Sequence, residues 1–324
     1  MKKKFITIFS IILFACAWLT GCKKESTSAE NAGEMSDLQV GNNSSCKLTH
    51  NVWAYWYTWD FHYNDKGLAD EWRLDLGGGF IRDFKMKYDK FGKLVDAPGY
   101  DDFNNLIFTN TFTYSGNQVT SQKWADLLGG VGGEILFSYN SKGQIVRQDD
   151  GDTHIFLTYD NKGNWIRSDF FIGSDIYFSD IYEYGSQVRN PVLTVSGVDW
   201  PFPFYGGSYF ENLWFSRNLS IVYDGDGNQY VVNDLVASKE DFIIGPQNFP
   251  SAVHYYDRVS ESRLDFLFAY NCNGNDNIAN QDLPQENRNI GTNKTIKSPK
   301  PMLIGAGKSI REQLQDLRKE YSTR

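Results

Sequence analysis

The chain has no apolar run long enough to cross a bilayer as a helix. Its longest such run, Phe5 to Trp18, is shorter than the roughly 20 residues that a spanning helix needs. Histidines and cysteines are scarce, with four of each. No two histidines stand at a metal-ligand spacing, although they could meet in space, and no Gly-x-Ser-x-Gly elbow is present. The sequence therefore predicts no catalytic residue, no metal site and no cofactor.

The short apolar run and the lysines before it have the form of a signal peptide over residues 1–21. Leu19-Thr20-Gly21-Cys22 resembles the bacterial lipobox, in which the signal is cut before a cysteine that is then acylated. Cys22 is therefore the predicted lipid (palmitate) attachment site, and the anchor predicts an outer-membrane location in the cell envelope. The periplasmic and surface sides both stay open. A plain secretory signal with a stray cysteine is the alternative.

The charge balance lacks an excess of basic residues. The formal net charge is −8, and removal of residues 1–21 with their three lysines gives 29 − 40 = −11. This acidity argues against a nucleic-acid partner. Residues 294–324 have the opposite charge balance, with eight Lys and Arg against three acidic residues. That tail could contact an acidic polymer, lipid head groups or the acidic body itself.

Two cysteines besides Cys16 and Cys22 remain, Cys46 and Cys272. The predicted compartment permits disulfides, and this pair would tie the start of the folded region to its last predicted strand. Two free buried cysteines are the alternative, because the sequence gives no distance between them.

Composition divides the rest of the chain into three parts. Residues 22–48 are rich in Ser, Asn, Glu and Gly without apolar periodicity, which predicts a flexible tether. Residues 49–275 alternate short apolar stretches with turns. Residues 276–324 form an Asn-rich tail that ends in an amphipathic helix, with a capping box at Ser309 and Glu312.

One unit recurs in the central part, a tyrosine followed by Asp or Asn and then by Gly three residues later. Its well-formed copies lie at 61–72, 86–97, 137–148, 157–168 and 221–232. A three-residue loop needs Asp or Asn to hydrogen-bond its own turn and Gly to accept positive φ, as in Asp160 to Gly163. Each unit therefore predicts a β-hairpin.

The two-residue period of the strands assigns their faces. Large apolar residues alternate before each turn, as in Ile155, Leu157 and Tyr159, while Lys85 and Lys87 occupy the opposite face of their strand. One face of each strand is therefore predicted to be buried and the other to face solvent. We therefore predict an all-β fold, an antiparallel meander of repeated β-hairpins that forms a curled sheet or barrel-like body with a short C-terminal helix.

The stretch NVWAYWYTWDFHY at 51–63 places an aromatic residue at every odd position from Trp53 to Tyr63. Core packing of a curled sheet explains it best, because aromatic residues favour strands and bury large apolar areas. The strands are too short to favour a lipid-facing barrel, which is the weakest explanation. The third is a partly exposed aromatic platform for a glycan or another ligand.

An aromatic insertion at 198–215 supplies most of that platform's candidates. The ligand-binding candidates are Trp56, Trp200, Phe202, Phe204, Tyr205 and Trp214. The insertion could instead plug one end of the sheet, and this is the preferred reading. Either way the leading hypothesis is a non-enzymatic binding or structural module with a glycan or an envelope protein as partner.

Two further hypotheses stay open. A glycan-acting envelope hydrolase would require two carboxylates to converge in one cleft. Its candidate carboxylates are Asp149, Asp150, Asp152 and Glu134. A closed pore would require an apolar outer band, which the strand lengths do not support.

The lipobox at Leu19–Cys22 and the YDNKGN and YDGDGN hairpins together resemble envelope lipoproteins of Gram-negative anaerobes. These lipoproteins belong to a domain family of unknown function with a porin-like fold. The resemblance covers roughly residues 50–275 and implies fold and location only, with no catalytic residue. The same hairpin unit is similar to the repeats of large secreted YD-repeat proteins, whose shells are β-rich.

Overall fold

The computed structural model describes residues 46–53, 57–75, 81–185, 188–191, 195, 213–272, 275–277 and 310–322. Residues 42–324 form one compact unit, while the separate unit of residues 1–41 lies outside these ranges. The strands are β1 (Cys46–Trp53), β2 (Tyr57–Tyr63), β3 (Ala69–Asp75), β4 (Ile81–Lys85), β5 (Lys87–Tyr88), β6 (Leu94–Asp96), β7 (Gly99–Tyr100), β8 (Leu106–Ser115), β9 (Gln118–Asp126), β10 (Val131–Tyr139), β11 (Ile145–Asp150), β12 (Thr153–Tyr159), β13 (Trp165–Ile172), β14 (Asp175–Glu183), β15 (Arg217–Tyr223), β16 (Gln229–Val236), β17 (Phe242–Ile244), β18 (Pro250–Asp257), β19 (Ser262–Cys272) and β20 (Asn275–Asn277). The helix α1 spans Ile310–Ser322, and 3-10 turns lie at Lys239–Asp241 and Pro246–Asn248.

These strands close into an antiparallel barrel of sixteen, as the predicted fold class allowed. Successive positions of the ring pair with each other, and β19 returns to pair with β1. The short segments β4 and β5 share one position, as do β6 and β7, and β17 continues the position of β16 along β18. β20 pairs with the end of β19. The first and last strands of the ring meet at Cys46 and Cys272, which form a disulfide. The first strand therefore begins within the stretch predicted as tether.

The repeated turns have the predicted chemistry. Asp160 Oδ1 accepts hydrogen bonds from the backbone N–H of Lys162 at 2.9 Å and of Asn164 at 2.8 Å. Gly163 has φ +87°, in the left-handed region that glycine enters without steric cost. Gly67, Gly92, Gly143 and Gly227 occupy the same position in their turns with φ between 78° and 83°. The hairpin prediction is confirmed at all five well-formed units.

The predicted dry face points into the barrel. Phe84, Ile155, Leu157 and Phe266 are all buried, whereas Lys85 on the opposite face is exposed. The buried aromatic rings stack from strand to strand across β2, β3, β4, β8 and β9. The barrel interior is a packed core. The free energy that favours folding comes chiefly from the apolar area that these side chains remove from water.

The aromatic stretch at 51–63 divides between two strands, which the sequence did not indicate. Trp53 pairs with Tyr57, so the chain reverses between them, although no Gly, Pro, Asn or Asp marks that reversal. Trp59 and Phe61 are 4% and 5% exposed, which confirms core packing for these two. Residues 54–56, including Trp56, lie outside the described ranges.

The tyrosines of the hairpin units have a role that the repeat pattern did not reveal. In four of the five well-formed units the hydroxyl donates to a backbone carbonyl of an earlier strand, with bonds from Tyr63 to Leu48, Tyr88 to Ala69, Tyr139 to Val119 and Tyr159 to Ile145. Tyr114 and Tyr184 make the same kind of bond, to Leu94 and Trp165. In the fifth unit the Tyr223 hydroxyl lies 3.2 Å from the Ser179 hydroxyl. Burial raises the pKa of Tyr63, so this hydroxyl stays protonated and able to donate. These tyrosines therefore link their hairpins to the preceding part of the sheet.

Replacing Tyr159 with Phe should lower the free energy of unfolding by about 1 kcal/mol, because it removes one hydrogen bond and keeps the buried ring. Urea denaturation measures the loss. The exposed Tyr256 on β18 provides the control, since Tyr256→Phe should leave stability unchanged. Equal effects at the two positions would contradict the linking role.

Neighbouring strands of the ring run in opposite directions, so successive connections lie alternately at the two ends of the barrel. We call the end with Cys46 the basal end and the opposite end the distal end. The basal end holds Cys46, Cys272 and the turns 64–68, 89–93, 116–117, 140–144 and 160–164. The distal end holds the turns 101–105, 127–130, 151–152, 173–174, 224–228 and 258–261. The connection from β14 to β15, which contains the aromatic insertion, leaves and returns at the basal end.

The helix α1 lies at the distal end. Arg311 binds Asp152, and Arg318 donates to the backbone carbonyls of Ile176 and Tyr223. Leu314 and Tyr321 are buried, as the predicted apolar stripe requires. No helix within the described ranges is long and apolar enough to cross a membrane.

Candidate functional site

The aromatic insertion is the first place where the sequence suggested a ligand. Its candidates Trp200, Phe202, Phe204 and Tyr205 lie outside the described residues. The described part, from Leu213 onward, continues the pairing of β14 and β15 through a bridge between Arg189 and Leu213. This part enters the barrel core.

Trp214 is the one ligand candidate that the structure describes, and it has no exposed surface. Its ring lies 5.2 Å from both Phe215 and Phe268, measured between centroids. Phe215 stacks in turn on Tyr255 at 5.1 Å. A ligand could reach Trp214 only by displacing core residues. The rest of the insertion up to residue 212 lies outside the described residues, so its binding and plugging interpretations both stay open.

The four candidate carboxylates of the hydrolase hypothesis do not all meet, although Asp150 and Asp152 interact. Burial raises the pKa of Asp150, a hydrogen bond from Trp124 opposes this, and the nearby charge of Asp152 adds to the rise. Asp149 points outward and binds Arg147 at 2.7 Å, while its neighbour Asp150 lies on the opposite face of β11. Asp152 is in the next turn and binds Arg311. Glu134 lies 3.9 Å from Lys123 on the outer wall. The cleft that this hypothesis requires is not formed by these residues.

The four histidines all lie within hydrogen-bonding distance of aspartates through Nδ1. The pairs are His50 with Asp60 (2.5 Å), His62 with Asp70 (2.7 Å), His154 with Asp149 (2.5 Å) and His254 with Asp265 (2.7 Å). They belong to alternating charges on the outer wall, such as the row His50, Asp60, Arg73 and Asp83 across four strands. Within the described ranges no three His, Cys, Asp or Glu residues are grouped to hold a metal ion.

The outer wall is polar and the interior is packed, which is the reverse of a water-filled membrane barrel. Lys87, Thr111 and Thr113 are exposed on the outside, whereas Trp72 and Phe108 fill the inside. The apolar outer band that the pore hypothesis requires is absent from the described strands. The barrel is therefore closed, and its described interior is filled by side chains.

One acidic group lies on the inward face of the barrel among polar side chains. Asp180 accepts hydrogen bonds from Ser220 at 2.6 Å and from Asn218 at 3.4 Å. Asn233 donates to Asn218 at 3.0 Å and extends the cluster to a third strand. Burial raises the pKa of Asp180 to about 6, and the hydrogen bonds from Ser220 and Asn218 oppose this shift. No sequence motif marked this cluster.

The raised pKa of Asp180 predicts a specific dependence of stability on pH. The folded carboxyl holds its proton to about pH 6, whereas an unfolded Asp loses it near pH 4. Between these values the folded state binds more protons, so this group lowers stability as pH rises. The wild type should therefore lose roughly 2–3 kcal/mol between pH 4 and pH 7 relative to Asp180→Asn.

Urea unfolding of both proteins across this pH range measures the difference. Asp175→Asn, at an exposed position on the same strand, serves as the control and should follow the wild-type profile. Parallel profiles for the wild type and Asp180→Asn would contradict the raised pKa.

No protein-family model matches this chain, and no curated protein matches it. Among solved structures it is similar to a porin-like protein from Bacteroides uniformis, with 11% identity and a TM-score of 0.42, over 69% of this chain and 95% of the other. A porin-like protein from Bacteroides vulgatus gives 10% identity and a TM-score of 0.33, over 69% and 98%. The Tc holotoxin pore of Photorhabdus luminescens gives 10% and 0.25, over 68% of this chain but 15% of the toxin chain. These structural neighbours include porin-like proteins from Bacteroides.

Proposed function

We propose that this protein is an acylated lipoprotein of the cell envelope, anchored through Cys22, whose barrel serves as a non-enzymatic binding module. The barrel presents the aromatic insertion to a partner, with a glycan as the first candidate. The lipobox at Leu19–Cys22 supports the anchor. The observation that carries the module assignment is the closed barrel itself, whose interior is packed with apolar side chains across the described strands.

The position of the insertion also supports this proposal. Val188, which precedes the insertion, and Trp214, near its end, are both buried, and the Trp214 N–H donates to the Val188 carbonyl at 2.8 Å. A segment held at both ends by the core can present side chains to a partner at a lower entropic cost than a free loop. Aromatic rings are suited to stacking on sugars because they offer large, rigid, partly apolar surfaces.

Acylation is tested by mass spectrometry of the protein purified from cell membranes. The expected result is a mature N-terminus at Cys22 that carries fatty acyl chains, with Cys22→Ala left unprocessed. A mature N-terminus at another residue without lipid would contradict the anchor.

Glycan binding is tested with residues 23–324 on a glycan array and in polysaccharide pull-downs, beside a Trp200→Ala/Phe204→Ala variant. Loss of binding in the variant with an unchanged melting temperature supports a site on the insertion. Binding to an envelope protein instead of any glycan would replace the glycan as partner. Binding that survives the double substitution would contradict the role of the insertion.

A further inference from the structure

Within the described residues, the turns at the two ends of the barrel differ in charge. The five basal turns contain five lysines against three aspartates, a balance of 5 − 3 = +2. The lysines are Lys66, Lys90, Lys93, Lys142 and Lys162. The other described basal connections, at 188–191, 213–216 and 237–249, add two basic and two acidic residues. The six distal turns contain one arginine against six acids, a balance of 1 − 6 = −5.

Two of the three basal aspartates, Asp89 and Asp160, are partly buried, whereas Asp65 is exposed. Asp89 Oδ1 accepts hydrogen bonds from the backbone N–H of Phe91 at 2.8 Å and of Lys93 at 2.9 Å. Asp160 is held in the same way within its own turn. The side chains of Lys66, Lys142 and Lys162, by contrast, are exposed. An approaching polyanion therefore meets the ammonium groups before it meets the carboxylates of Asp89 and Asp160.

An exposed aromatic ring accompanies the lysines. Phe91 stands at the tip of turn 89–93 with 74% of its surface exposed, and the Lys90 ammonium lies 4.9 Å from its ring centroid. A phenylalanine among lysines suits the boundary between lipid head groups and acyl chains, where the ring is buried and the ammonium groups bind phosphates.

We infer that the basal end of the barrel docks on an anionic phospholipid surface. This inference rests on the proposed anchor, because acylation at Cys22 would hold the protein at a bilayer. The first described residue, Cys46, lies at the basal end. The basic turns and Phe91 of that end would contact the head groups. The acidic distal end then faces away, since anionic lipid repels it.

The cations of the C-terminal helix do not offer an equivalent surface. Arg311 binds Asp152, and Arg318 is engaged by two backbone carbonyls and lies over the Tyr177 ring. Both contacts hold the helix on the distal end. The charge asymmetry of the barrel therefore comes from its turns.

The test uses residues 23–324 without an acyl chain, which retain the compact unit of residues 42–324. Co-sedimentation is measured with phosphatidylcholine vesicles that contain phosphatidylglycerol and with vesicles that do not. Binding should require phosphatidylglycerol and weaken as salt rises. Lys66→Ala/Lys142→Ala/Lys162→Ala should reduce the partition coefficient about 100-fold, because each lysine near the surface contributes about 1 kcal/mol, or roughly fivefold. Phe91→Ala should reduce it by about tenfold.

The matched control is Lys85→Ala/Lys123→Ala/Lys319→Ala, which removes the same charge from the wall and the distal end. It should bind nearly as the wild type does, and all variants should melt at the wild-type temperature. Equal losses in the two triple variants would overturn the inference, because binding would then follow net charge alone. Absence of vesicle binding, or binding to a soluble anionic polysaccharide instead, would also overturn it. Acylation of Cys22 is scored separately in cell-derived protein, so failure of the anchor and failure of the docking surface remain distinguishable.

Discussion

Reduction of the Cys46–Cys272 disulfide is expected to lower the free energy of unfolding by about 5 kcal/mol. The bridge closes a loop across a sequence separation of 226 residues, and the entropy that it removes from the unfolded chain grows with the logarithm of loop length. It also lies at the seam where the first and last strands of the ring pair. Loss of the bridge should therefore open the barrel at this seam first.

The measurement is thermal unfolding with and without a reductant, beside a Cys46→Ser/Cys272→Ser variant. The wild type should lose on the order of 10 °C in Tm under reducing conditions, whereas the variant should already melt at the lower temperature and be insensitive to reductant. Titration of the unfolded wild type should find no thiol at these two positions before reduction. A wild-type Tm that is unchanged by reductant would refute the role of the bridge.

Replacement of Asp126 by Ala should cost about 3–5 kcal/mol, because it leaves the Arg82 guanidinium buried without its counter-charge. Asp126 and Arg82 have side chains 0% and 6% exposed, and Asp126 Oδ2 lies 3.3 Å from Arg82 Nη2. Asp126 Oδ1 also accepts the backbone N–H groups of Leu128 and Gly129 at 3.0 and 2.9 Å. The substitution therefore removes both an ion pair and the anchor of turn 127–130.

A double-mutant cycle with Arg82→Leu separates these two contributions. Arg82→Leu alone should also destabilise, since it leaves the Asp126 carboxylate buried without its cation. The double variant Arg82→Leu/Asp126→Ala should be more stable than the sum of the two single losses predicts, and the coupling measures the ion pair. Additive losses would show that Asp126 matters only through the turn. Asp102→Ala, at an exposed distal carboxylate, controls for loss of charge at this end of the barrel.

Local features of the fold could be predicted because neighbouring residues decide them. The turn from Asp160 to Gly163 requires one left-handed residue and one side-chain acceptor, and both are visible in five letters of sequence. Alternation assigned Ile155 and Leu157 to the core for the same reason, since a strand directs successive side chains to opposite faces. The helix at Ile310–Ser322 followed from its apolar stripe.

Contacts between distant parts of the chain could not be predicted in this way. The reversal between Trp53 and Tyr57 has no turn residue, so an apparently continuous aromatic strand became two. Trp214 resembled a ligand platform by composition, yet it is buried against Phe268 on β19. The hydrolase candidates Asp149 and Asp150 are adjacent in sequence, and the pleat separates them.

The sequence by itself determined the hairpin, the dry and wet faces of each strand and the C-terminal helix, because these depend on residues a few positions apart. Tertiary structure decided that the meander closes between β1 and β19, that repeat tyrosines such as Tyr159 bond to the hairpin before them, and that Arg82 meets Asp126. It also gathered the lysines of separate turns at the end where Cys46 lies. Closure of the barrel, and the end at which each turn lies, depend on the number of strands and on their register. Residues a few positions apart do not determine either quantity.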